Sequence, residues 1–147
     1  MTIRAHLRAT LEGDATLTGI LTGGIYDASE LPQDGLTVSA VPGAFDSLDR
    51  VLPCAVIRFR EMSETAISGH SRRRFAEIYV YQHRGMDLVD AALARCRALL
   101  HPHKQFTTDG GQVYYTTWVD SVGDLVADEL DGAAMSRSRY YIDYFEG

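Results

Sequence analysis

The sequence predicts an α+β fold: a mainly antiparallel β-sheet with α-helices packed on one face. Three observations carry that prediction. Residues 72–82 and 137–145 alternate side-chain character with the period of two that a pleated strand requires. Residues 87–100 instead place Val89, Ala92, Leu93, Cys96, Leu99 and Leu100 at spacings of three and four, one stripe of a helix. Asp109-Gly110-Gly111 sits between two β-prone runs and supplies the positive φ angles of a tight hairpin. Strands joined by tight turns, with helices set apart from them, fit one layer of helix on one antiparallel sheet.

The elements follow in chain order. Ile3, Leu7 and Leu11 recur every four residues on one helical stripe, with Thr2 as N-cap and Gly13 as stop. Asp14 caps a second short helix carrying Leu17, Ile20 and Leu21, closed by Gly23-Gly24. Residues 27–53 keep no period, being broken by Pro32, Gly35, Pro42, Gly43 and Pro53. A loop of that length is unusual inside a compact domain. It reads either as a structural excursion pinned by Phe45 or as a segment that becomes ordered on assembly.

Cys54–Arg60 reads as a strand, and the Ser-, Thr- and Gly-containing stretch 61–71 as an exposed hairpin tip. In the next strand, Ala76, Ile78 and Val80 suit the underside of a helix. Phe75, Glu77, Tyr79 and Tyr81 take the opposite face, fit for water or for another subunit. The long helix has Asp87 and Asp90 in its first turn, where the helix dipole favours them, and Pro102 stops it. Residues 105–119 form a hairpin about the Asp-Gly-Gly turn. In the final strand Tyr140, Ile142 and Tyr144 share one face, and Arg139, Tyr141, Asp143 and Phe145 the other. The predicted order is two helices, two strands, a helix and three strands, in a single domain spanning residues 1–147.

Composition narrows the function. The 147 residues suffice for an independent core, burying roughly 68–70% of the unfolded surface. The formal net charge of -6 argues against a general nucleic-acid binder, which carries a basic footprint. Two cysteines, Cys54 and Cys96, define no disulfide framework and suit a reducing interior. No run approaches the apolar length of a membrane span, and the first residues carry no signal-like apolar region. The expected protein is neither exported by a standard signal nor membrane-spanning.

Known catalytic patterns are missing. There is no G-x-S-x-G elbow, no P-loop and no G-x-G-x-x-G. His101 and His103, with His83 or Cys96, are the best metal candidates, but no C-x-x-C or H-E-x-x-H scaffold supports them. Asp120, Asp124, Asp128, Glu129 and Asp131 lack the spacing of a calcium loop and read as a solvated acidic face. Arg72, Arg73 and Arg74 concentrate positive charge at the start of a strand. They read as charge that blunts an exposed strand or as a contact to a partner protein. No catalytic, cofactor or metal residue is assigned.

The ordered segments resemble the tail-terminator and tail-completion proteins of long-tailed, siphovirus-like phages and phage-like particles. The resemblance runs through LRATLEGDATLTGILTGGIYD (7–27) and LPCAVIRF (52–59). It continues in FAEIYVYQHRGMDLVDAALARCRALLH (75–101), DGGQVYYTTW, the DELDG turn at 128–132 and the alternating RSRYYIDY strand. The stretch at 28–51 is longer than compact members carry. The resemblance implies a structural virion protein at the tail–neck junction, made in the host cytoplasm. Such a protein forms a homo-hexameric ring that caps the tail tube, ends its polymerisation and joins the tail to the neck and head. Its implied partners are further copies of itself, the tail tube protein and a neck or head-completion protein, with DNA passing through the lumen without specific binding. No cofactor or membrane is implied. On this reading Phe75, Tyr79, Tyr81, Tyr141 and Phe145, together with Arg72, Arg73 and Arg74, contribute to subunit or partner contacts. Another head–tail connector is the alternative within the same class. A small metal-dependent hydrolase using His101, His103 and the acidic series is the alternative outside it.

Overall fold

The computed structural model describes residues 2–33, 35–68, 71–106 and 113–145. Helices α1 (Ile3–Glu12) and α2 (Ala15–Ile20) open the chain, followed by strand β1 (Ile25–Asp27). Strands β2 (Cys54–Ser68) and β3 (Ser71–Gln82) lead into helix α3 (Asp87–Leu100). Strands β4 (His103–Phe106), β5 (Val113–Ala127) and β6 (Ala133–Phe145) complete the sheet. Its order is β1-β2-β3-β6-β5-β4; every neighbouring pair is antiparallel except β1 and β2. The α+β architecture is the one predicted.

The helices form where the sequence places them. The Thr2 hydroxyl accepts from the Ala5 amide at 3.1 Å and starts α1. The Asp14 carboxylate accepts from the Leu17 amide at 2.9 Å and starts α2. The same carboxylate takes a forked pair from the Arg95 guanidinium at 2.7 and 2.8 Å, tying α2 to α3. Ile3, Leu7, Leu11 and Leu17 meet Val89, Ala92, Cys96 and Leu100 over Ala55, Ile57, Ala76, Ile78, Val80 and Ile142. Each apolar Å² removed from water in this layer stabilises by roughly 25 cal/mol, so the helix layer is a main source of stability.

Three sequence expectations need correcting. The residues at 61–71 are mostly strand: β2 runs to Ser68 and β3 begins at Ser71, making a long two-stranded arm. Backbone pairing with β3 decides this, through register shifts around Ala66 that local composition does not announce. The last strand begins at Ala133, four residues before the predicted start, because Ala133–Ser136 pair with β5 and β3. The third correction concerns β1. It lies parallel to β2, with Ile25 opposite Ala55, and adjacent parallel strands need a long crossover. Residues 28–53 are that crossover. The predicted Asp109-Gly110-Gly111 turn falls outside the described residues.

The crossover is packed as part of the fold. It lies over the sheet face opposite the helices, where Leu36, Ala44 and Val51 join Cys54, Val56, Ala127, Leu130 and Ala133 in a second core. Phe45 bridges to Val51 across a tight turn, as a pin would. Asp46 caps that turn, accepting from the Leu48 and Arg50 amides at 2.8 and 3.0 Å.

Candidate interaction surface

Strand alternation sorts the predicted contact residues onto two faces. Arg72 and Arg74 lie opposite Tyr144 and Ile142 on the helix side, and the Arg74 guanidinium sits 5.3 Å from the Tyr144 ring centroid. Arg73, Phe75, Tyr79, Tyr81 and Tyr141 belong to the second face. Phe145 ends β6, its backbone paired with Ser71; its side chain is outside the described set. The eight residues therefore do not form one patch.

The second face divides again. Toward one end, Tyr79 and Tyr81 pack against the second core beneath the crossover, half-buried by their own chain. Burial pushes the Tyr81 hydroxyl well above its ordinary value. Their aromatic bulk serves this core, contrary to the expectation of an aromatic face left bare along its whole length.

Toward the other end the face carries stacked rings threaded with charge. Phe75 and Tyr141 stack at 5.0 Å between centroids and 30° between planes. Arg73 lies 4.0 Å over the Tyr141 ring while donating to Asp143 at 2.6 and 3.1 Å. Arg139 approaches Phe75 at 5.3 Å and forms a forked pair with Asp120. Glu77 is buried; it accepts from Arg60, from Arg137 at 3.1 Å and from the Tyr79 hydroxyl at 3.1 Å. Burial alone would raise the Glu77 carboxyl, but these donors outweigh it and hold it below the usual range. Hydrogen bonds from Arg139 likewise lower Asp120.

Sequence reasoning found the rings and Arg73 but missed this network. The available signal was cross-strand position. Glu77 on β3 faces Arg58 on β2 and Arg139 on β6, and charges at one level of neighbouring strands meet.

The metal candidates do not converge. Among the described residues no group of three His, Cys, Asp or Glu could hold an ion. His101 Nδ1 accepts from the Trp118 amide at 2.8 Å, and His103 Nε2 lies 3.0 Å from the Ala98 carbonyl oxygen. Cys96 is fully buried in the helix layer, where burial pushes its thiol up to about 12, and Cys54 is raised the same way. Both thiols behave as small apolar groups. The acidic series is spread out: Asp120 is paired to Arg139, and Asp128 and Glu129 lie in a 3-10 turn, Asp128–Leu130. A concavity of about 340 Å³ lined by Arg4, Asp27, Gln33, Arg58 and Phe59 opens beside the crossover.

Fold and surface together define a class: a helix-backed antiparallel sheet whose opposite face is half covered by a crossover and half an arginine–aromatic surface. No family model and no curated protein matches the chain. Among solved structures, it is similar to a chain of the virion of a native gene transfer agent particle. The TM-score is 0.66 at 16% identity, covering 99% of this chain and 95% of the other. That likeness is one of fold, and it extends over the whole molecule.

Proposed function

We propose that this protein is a structural subunit of a phage-like particle, and specifically a ring-forming tail terminator. One observation carries the reading: the fold follows that of a gene transfer agent virion chain over nearly its full length. The ordered segments that resemble tail terminators add to it, as does a surface of arginine and stacked aromatics of the kind that meets other proteins. The ring caps the tail tube, stops its growth and offers its far side to the neck or head-completion protein. Ending a polymer needs no reacting group. It needs two chemically different sides and a head-to-tail contact that closes, at six copies on this reading.

The test is assembly. Mass photometry and negative-stain imaging of the purified protein, alone and with tube protein, should give closed rings and tubes of limited length. Deleting the gene should give particles with overlong or headless tails. A protein that stays monomeric and leaves tube length unchanged would refute the proposal.

A further inference from the structure

Strand β4 covers only part of the outer edge of β5. It pairs with residues 113–116, and no described strand lies beyond Thr116 on that side of the sheet. An edge left bare presents unpaired amides and carbonyls to any passing strand. The amide two residues past the end of this ladder is not bare: Trp118 donates it to His101 Nδ1 at 2.8 Å. His103 pairs with Thr116, so the residue due opposite Trp118 in the same register is His101. Its imidazole stands where a strand carbonyl would be expected.

That bond fixes the proton on the ring. A backbone amide only donates, so Nδ1 carries a lone pair and the neutral ring holds its proton on Nε2. An imidazolium has no lone pair to offer at either nitrogen. The surroundings give a second proton no compensation. From α3, the Arg97 guanidinium lies 3.9 Å from the centroid of the same Trp118 ring that His101 meets edge-on. On β4, His103 turns its Nε2 to the Ala98 carbonyl oxygen. On β5, Asp120 is held by Arg139, and no carboxylate forms an ion pair with His101 among the described residues. On β6, Tyr140 opposite Trp118 is buried, which pushes its hydroxyl up and keeps it neutral.

We infer that His101 is a proton-operated latch between the end of α3 and the outer edge of β5. Neutral, it caps the Trp118 amide and closes the first open position of that edge. Protonated, it lets go, which leaves the amide open and sets a second cation beside Arg97. Another tie, from the Thr116 hydroxyl to the Leu100 carbonyl, does not titrate. Strand β4 therefore keeps its place while the edge opens at Trp118. The latch is a property of one copy and does not depend on ring formation.

Trp118 is the only tryptophan of the chain, so its emission reports on the latch directly. In the unaltered protein that emission should change in one step between about pH 8 and about pH 5, the range in which histidines take up a proton. Hydrogen exchange at the Trp118 amide, corrected for its intrinsic pH dependence, should quicken about tenfold over the same range. His101→Gln keeps an acceptor that does not titrate; the step should vanish and slow exchange persist in acid. His101→Ala removes the acceptor and should exchange fast throughout. His6→Leu and His103→Gln should leave the step in place. A step that survives in His101→Gln, or one lost with His6 or His103 instead, would overturn the latch. So would a Trp118 amide that exchanges equally slowly in His101→Ala and in the unaltered protein. The unaltered protein also gives a check free of any substitution. Its His101 nitrogen shifts at about pH 8 should show Nδ1 bare and Nε2 protonated, and the opposite tautomer would rule the bond out.

Discussion

Glu77 decides whether the sheet can hold so many arginines together. It is a buried carboxylate held by Arg60, Arg137 and Tyr79, and its carboxyl is depressed below the ordinary 4.5. A depressed carboxyl stabilises the fold above the unfolded-state value and loses that contribution as pH falls through the folded-state value. Glu77→Gln should therefore cost about 2–3 kcal/mol at pH 7, reduced from the full buried-pair figure because Arg60 is half exposed. Urea melts from pH 7 downward should show the gap between the two proteins narrowing below pH 4.5. A gap that stays constant to pH 3 would mean the charge itself contributes nothing. His6 obeys the same sign. Burial lowers its pKa, and its Nδ1 lies 2.7 Å from the Tyr114 hydroxyl. The neutral ring is favoured in the fold, so stability should decline as pH falls below 6.5, and His6→Leu should flatten that decline. Tyr114→Phe leaves Nδ1 buried without its hydrogen-bond partner and should cost about 1–2 kcal/mol in the same melts.

At the scale of elements, the crossover between β1 and β2 is where sequence and structure part company. Helices α1, α2 and α3 were legible because their caps and apolar stripes are local: Thr2, Asp14 and the Val89–Leu100 stripe each act within a few residues. Strands β3 and β6 were legible because alternation is local too. The parallel pairing of Ile25–Asp27 with Ala55–Ile57 is not, since its partners lie thirty residues apart along the chain. Once that pairing exists, residues 28–53 must cross the sheet, and Leu36, Ala44 and Val51 have a face to cover. The same long-range cause explains the candidate surface. Phe75, Tyr141 and Arg73 could be placed on one face by counting, but which half stayed open depended on where the crossover lay. This gives an element-scale prediction. Leu36→Ala, at a buried site in the crossover, should lower stability by about 2–4 kcal/mol. The crossover should then become cleavable by a protease at dilutions that leave the unaltered protein intact. A crossover cut equally fast in both proteins would show that it adds nothing to the second core.

At the scale of the whole molecule, net charge and its distribution make a prediction about DNA. A chain of net charge -6 is repelled by duplex DNA at long range. It nevertheless carries one surface rich in arginine, and that surface is open in a single copy. If a neighbouring copy covers that surface in a closed ring, the duplex meets a more acidic remainder and can pass without adhering. The assembled and unassembled states should then differ. Anisotropy of a labelled short duplex should stay flat when titrated with rings, both at ~0.02 M and at ~0.15 M salt. The single-copy form, taken at protein concentrations below those that give rings by mass photometry, should show weak association at the lower salt, lost at the higher because phosphate contacts release counterions. Tight binding by the ring itself at ~0.15 M salt would contradict an acidic passage. It would mean that the arginine face looks inward to the lumen and is not spent on the contact between copies.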